Sequence, residues 1–97
     1  VIFFFVFDNF FVRFVMENKV AVIAVIVEDM ESVEKFNAIL HDYAQYIIGR
    51  MGIPYRAKKM NIISIAIDAP HDVISALAGK IGNLKGISAK VAYSGGE

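Results

Sequence analysis

Residues 47–68 read IIGRMGIPYRAKKMNIISIAID, and the reading of this stretch decides the fold. Gly49, Gly52 and Pro54 follow one another closely. Inside a helix a glycine costs about 1 kcal/mol and a proline about 3 kcal/mol, so residues 47–55 are not a helix. A sheet tolerates proline chiefly at its edge. The stretch Ile47–Tyr55 is therefore an irregular edge strand. Arg56–Met60 is then the turn of a hairpin, and Asn61–Asp68 is the strand that returns. Ile63, Ile65 and Ile67 give that returning strand a bulky face, and Ile62, Ser64 and Ala66 give it a flatter one.

Working outward, Lys19–Val27 (KVAVIAVIV) is apolar at both parities, the pattern of a central strand. The acidic turn Glu28–Ser32 (EDMES) follows. Asp29 or Ser32 can cap a helix there, and Glu31 and Glu34 suit its positive end. Val33, Phe36, Leu40, Tyr43, Ala44 and Ile47 recur at helical spacing, which predicts an amphipathic helix of about four turns. Downstream, APHD at residues 69–72 opens a second helix whose apolar stripe is Ile74, Leu77, Ala78 and Ile81. Gly79 inside it suggests close approach to the sheet, and Gly82 and Asn83 tolerate the positive φ of a helix end. Ile87–Ser94 alternates as a half-exposed edge strand should.

The element order is β-α-β-β-α-β, the ferredoxin-like split βαβ unit. The fold class is α+β: a four-stranded antiparallel sheet in the order 4-1-3-2 with two helices on one face. In that topology the first and third strands are central, and these are the two with continuous apolar sequence. One face of such a sheet stays uncovered while still carrying apolar residues. Large exposed apolar patches mark interaction sites, so a homo-oligomer formed through the open face or the edges is expected.

The chain has 97 residues, enough for one domain, with a formal net charge of zero and no cysteine. A neutral chain has no global field drawing it onto nucleic acid or an anionic membrane. Without cysteine there are no disulfides, no thiolate nucleophile and no Cys-based metal site. Residues 1–15 (VIFFFVFDNFFVRFV) hold seven of the eight phenylalanines. Asp8, Asn9 and Arg13 break this run short of the ~20 apolar residues a span needs. These residues are expected to lie outside the functional domain, which opens at MENKV and covers residues 16–97.

Chemistry has few places to reside. His41 sits on the first helix and His71 at the start of the second, whereas a metal site needs three or four converging ligands. Ser32, Ser64, Ser75, Ser88 and Ser94 lack a nucleophile-elbow context. No metal, cofactor or catalytic residue is expected, and the chain is not read as an enzyme. The cations of the opening stretch do not have phosphate-loop spacing. Lys58 and Lys59 read as a solvated turn that discourages edge pairing. Arg50 and Arg56, beside Tyr46 and Tyr55, can serve either as ligand contacts or as subunit ion pairs, with Glu28 and Asp29 as the acidic partners.

Residues 40–68 (LHDYAQYIIGRMGIPYRAKKMNIISIAID) and 74–94 (ISALAGKIGNLKGISAKVAYS) resemble a small bacterial family, the iron-only hydrogenase system regulators. The resemblance runs from Met16 to Ser94. It implies a gene neighbourhood shared with iron-only hydrogenase maturation, and likeness to ACT-type regulatory modules and to the C-terminal half of nickel-responsive repressors. Those domains assemble through their sheets and bind effectors near subunit contacts. The implied role is a cytoplasmic regulatory or sensor module that binds a small effector or a partner protein. The alternatives are a DNA-binding transcriptional regulator and an accessory of hydrogenase maturation. Two departures limit the analogy. Residues 47–67 carry no His or Cys, so nickel sensing is not implied. The ribbon-helix-helix of the nickel repressors has no counterpart in residues 1–15, so DNA binding by this chain alone is not expected.

Overall fold

β1 (Asn18–Val27) and β3 (Met60–Pro70) run antiparallel down the middle of a four-stranded sheet, with Val22 opposite Ala66 and Ile23 opposite Ile65. β2 (Ile47–Tyr55) pairs with the outer side of β3, and β4 (Ile87–Tyr93) with the outer side of β1. The strand order is β2-β3-β1-β4 with every pair antiparallel, the expected 4-1-3-2 read from the other edge. The computed structural model describes residues 17–96, so the phenylalanine-rich stretch expected to stand outside the domain lies outside the described residues.

Two helices, α1 (Val33–Asp42) and α2 (His71–Gly82), supply the second layer. Alternation along the strands sends Ile23, Val25 and Val27 of β1 and Ile63, Ile65 and Ile67 of β3 towards them. Phe36 and Leu40 of α1 and Ile74, Leu77 and Ile81 of α2 close the core from the other side. Phe36, the one phenylalanine beyond residue 15, is fully buried. β4 adds Ile87 to the core and Ala89, Val91 and Tyr93 to its margin.

Among the described residues nothing covers the opposite face. Val22 is 41% exposed, Ile26 40% and Ile62 42%, and on β2 Met51 is 67% and Ile53 58% exposed. The both-parity pattern of β1 thus marks a central strand, but the structure covers only one of its faces.

Several local expectations are corrected. α1 has ten residues, shorter than the four turns expected, because Tyr43 leaves helical geometry (φ −109°) and Ala44–Tyr46 form a 3-10 turn that feeds β2. Asp29 is the capping residue: its Oδ1 accepts from the Glu31 N–H at 2.9 Å. Ser32 makes no cap and is buried, its Oγ donating to the Lys85 carbonyl at 2.6 Å. Gly79 has open space where a Cβ would point, so it serves no close approach to the sheet. Asn83 ends α2 with right-handed geometry (φ −83°), and the positive φ falls at Gly86 (φ 71°).

Gly86 is where the chain needs a residue without a side chain. A Cβ there would stand 2.4 Å from the Asp29 Cβ and 3.0 Å from its backbone nitrogen. The same approach lets the Gly86 carbonyl accept the Glu28 N–H at 2.7 Å. Gly86→Ala therefore combines a strained φ with a backbone clash. It is expected to lose more than ~1 kcal/mol of stability, read from the denaturant midpoint. Leu77→Ala, which empties a fully buried site, is expected to cost about 2–5 kcal/mol by the same measurement.

Candidate functional site

β2 hangs beyond the helical layer, so the helix-facing side of this strand is open as well. Between it and α1 runs a groove. At one end it is lined by Asn37, His41, Ala44 and Arg50, and further along by Arg50, Gly52, Pro54, Asn61 and Ile63. It continues past Pro54 and Asn61 into a cleft of about 360 Å³ walled by Met30, Met60, Arg56 and Lys59.

Arg50 stands mid-groove. Its partner across the sheet is Ile65, which faces the helices, and Arg50 points the same way. Its Nη2 donates to Asn37 Oδ1 of α1 at 2.9 Å, and its guanidinium lies 5.3 Å from the Phe36 ring centre. The arginine is thus oriented by its own chain while remaining exposed. Arg56 opens the 3-10 turn Arg56–Lys58 at the hairpin end of the groove. Tyr55 is not with them, because alternation along β2 puts it beside Ile53 and Met51 on the uncovered face. Tyr46 packs at the margin of the core, tilted against Tyr43 with ring centres 6.4 Å apart. Glu28 and Asp29 follow Val27, whose cross-strand partner is Asn61, so they share the hairpin's end of the sheet. Asp29, however, is turned to its own surroundings: Oδ1 caps Glu31, and Oδ2 lies 3.8 Å from Lys85 Nζ. The structure therefore gathers Arg50 and Arg56 along one groove, sets Glu28 and Asp29 near its end, and sends Tyr46 and Tyr55 elsewhere.

Other reactive groups are accounted for by packing. His71 stacks on Tyr93 at 5.1 Å between ring centres. His41 is exposed at the far end of the groove. Lys80 Nζ lies over the Tyr43 ring, 5.1 Å from its centre, and its interaction with Tyr43 raises the lysine pKa above its ordinary value. Among the described residues no three His, Asp or Glu side chains gather as metal ligands, and no helix is long and apolar enough to cross a membrane.

Met30, Met60 and Asn61 were not singled out in the sequence, and Lys59, expected in a solvated turn, lines the cleft with them. Met30 arrives by way of the capped turn, and Asn61 Nδ2 approaches its Sδ at 3.6 Å. That proximity depends on strand register. Lys59 did carry a readable signal: the tight turn from Arg56 to Met60 contains no glycine. Lys59 takes the left-handed position itself (φ 54°).

Comparison with known proteins agrees with this architecture. The model of the TM1266-like family, iron-only hydrogenase system regulators, matches residues 19–91. Uncharacterized protein TM1266 from Thermotoga maritima superposes with a TM-score of 0.76 at 28% identity, over 79% of this chain and 98% of that one. A formyltetrahydrofolate deformylase from Pseudomonas putida KT2440 matches with a TM-score of 0.55 at 13% identity, over 75% of this chain and 28% of the enzyme. That second likeness is one of fold alone. No curated protein matches the sequence.

The Arg50–Asn37 contact is solvent-exposed. Exposed polar pairs typically contribute at most about 1 kcal/mol. Arg50→Gln is thus expected to leave thermal stability nearly unchanged, so any functional loss in that variant reports on the groove and not on the fold.

Proposed function

Because the chain belongs to the TM1266-like family of iron-only hydrogenase system regulators, we propose that it is a regulatory module of that system, working by binding and not by turnover. It acts in the cytoplasm as a homo-oligomer, and a small effector or a partner protein of hydrogenase maturation is received along the β2 groove near the subunit contact.

The observation that carries the assembly is the uncovered sheet face. Val20, Val22 and Ile26 of β1, Ile62 of β3, and Met51, Ile53 and Tyr55 of β2 all lie on it exposed. Within the four strands its charged members are Asp68 and Lys90 alone. A contiguous apolar surface of this kind is unusual on a monomer. A second copy covers it with the same residues, the self-complementary arrangement of a two-fold dimer. The groove lies on the other side of β2, so an oligomer stacked through the open face leaves it accessible beside the junction.

Reading of DNA by this chain alone has little support. The polar residues of α1 include Glu34, Lys35 and Asp42, and those of α2 include Asp72 and Lys80, so neither helix is basic. Phosphate contacts need a surplus of cations on one surface.

Sedimentation equilibrium of the purified chain is expected to show association at micromolar concentration. The double variant Val22→Glu, Ile62→Glu is expected to sediment as a folded monomer, because it places carboxylates where apolar surfaces meet. A parent chain that stays a well-folded single subunit at every concentration would refute the assembly. Altered hydrogenase output on deleting the gene, with maturation proteins captured by the tagged chain, would support the regulatory role. Unchanged output would count against it.

A further inference from the structure

We propose that the hairpin-end cleft is the effector site, and that it takes a small aromatic anion: a planar ring carrying a carboxylate or phosphate head. This rests on the reading of the chain as an effector-binding module, and it names the ligand class.

The walls argue for the ring. Met30, Met60 and Pro54 supply three of the six residues lining the cleft, whose volume is about 360 Å³. Thioethers make favourable contacts at the edges of aromatic rings, and two methionines beside a proline form a soft apolar slot. The rim argues for the anion. Arg56 and Lys59 belong to one turn, joined by the Lys59 N–H to Arg56 carbonyl bond of 3.1 Å, and both line the cleft. Among the described residues the one ion pair is Lys85–Asp29, so neither rim cation is neutralised there. Arginine binds carboxylate or phosphate in bidentate fashion and lysine adds a point charge. The Asn61 amide reaches only a thioether, so it has donor capacity left for a ligand. The backbone supplies an independent sign. Lys59 holds φ 54° and ψ 49°, a conformation that glycine or asparagine adopts at less cost. A strained non-glycine residue lining a cleft points to a role for its side chain.

The test is a titration of the full chain, labelled at methionine methyls and asparagine amides, with four probes: 3-phenylpropanoate, phenyl phosphate, inorganic phosphate and benzyl alcohol. The aromatic anions are expected to move the Met30 and Met60 methyl signals and the Asn61 amide saturably. Inorganic phosphate and benzyl alcohol, each lacking one half of the recognised chemistry, should bind at least about tenfold more weakly, the equivalent of one charge-assisted hydrogen bond. Whichever aromatic anion binds more tightly identifies the head group. The double variant Arg56→Gln, Lys59→Asn should lose a similar factor in affinity while its melting temperature holds or rises, since asparagine accepts the left-handed backbone. The proposal is overturned if neither aromatic anion moves those signals, if benzyl alcohol binds as well, or if the double variant binds like the parent. In each of those cases intact sedimentation behaviour leaves the oligomeric module standing, so the two readings fail separately.

Discussion

Two helices can roof only one side of a four-stranded sheet, and the rest of this molecule follows from that constraint. The inner side is closed by Phe36, Leu40, Ile74, Leu77 and Ile81 against the isoleucines and valines of the central strands. The outer side repeats the same chemistry on the alternate residues, and none of the described residues lies above it. A chain of this size buries little more than ~60% of the surface its unfolded form exposes. The apolar residues of the outer face represent stabilisation that the isolated subunit leaves unused. The hydrophobic effect then favours association on the same terms as it favoured folding.

The end of the sheet bearing the hairpin is held more tightly than its loop content suggests. Glu28 bonds Gly86, Ser32 bonds Lys85, and Asp29 caps the turn carrying Met30 while its second oxygen lies near Lys85. Contacts between residues more than fifty positions apart thus fix where Met30 stands. The cleft has one wall on this clamped turn and the other on the hairpin that joins the two outermost elements of that edge, β2 and β3. The wall bearing Met30 is thus tied to distant parts of the chain, and the facing turn carries the left-handed Lys59.

Much of this architecture was legible in the residues. The glycines and proline of Ile47–Tyr55 marked an edge, and the double parity of Lys19–Val27 marked a centre. The strand order followed from the β-α-β-β-α-β element order, with which these two readings agreed. Local stop signals were less legible. Tyr43 ends α1 although nothing in its type forbids helix, because the chain must turn to place Ile47 opposite Ile67. Asn83 looked like the left-handed residue and Gly86 proved to be it, since the approach of Asp29 selects the position, and that approach is a tertiary fact. The site was half visible for the same reason. Arg50 and Arg56 stood out as cations on an edge strand and at the turn that follows it. Tyr55 faces away from them by simple alternation, and Asn37, Met30 and Asn61 join the groove only through register and helix placement.

The imperfections of β2 also bear on how copies of the chain can add to one another. Register slips between Ile47 and Gly49, leaving Ile48 as an extra residue, and Pro54 offers no N–H. Both ends of this rim are therefore poor templates for a neighbouring backbone. A stack of two sheets is finite once both surfaces are hidden, whereas rim-to-rim addition has no terminus and grows into fibres. A spoiled margin on β2 thus disfavours open-ended growth through that edge.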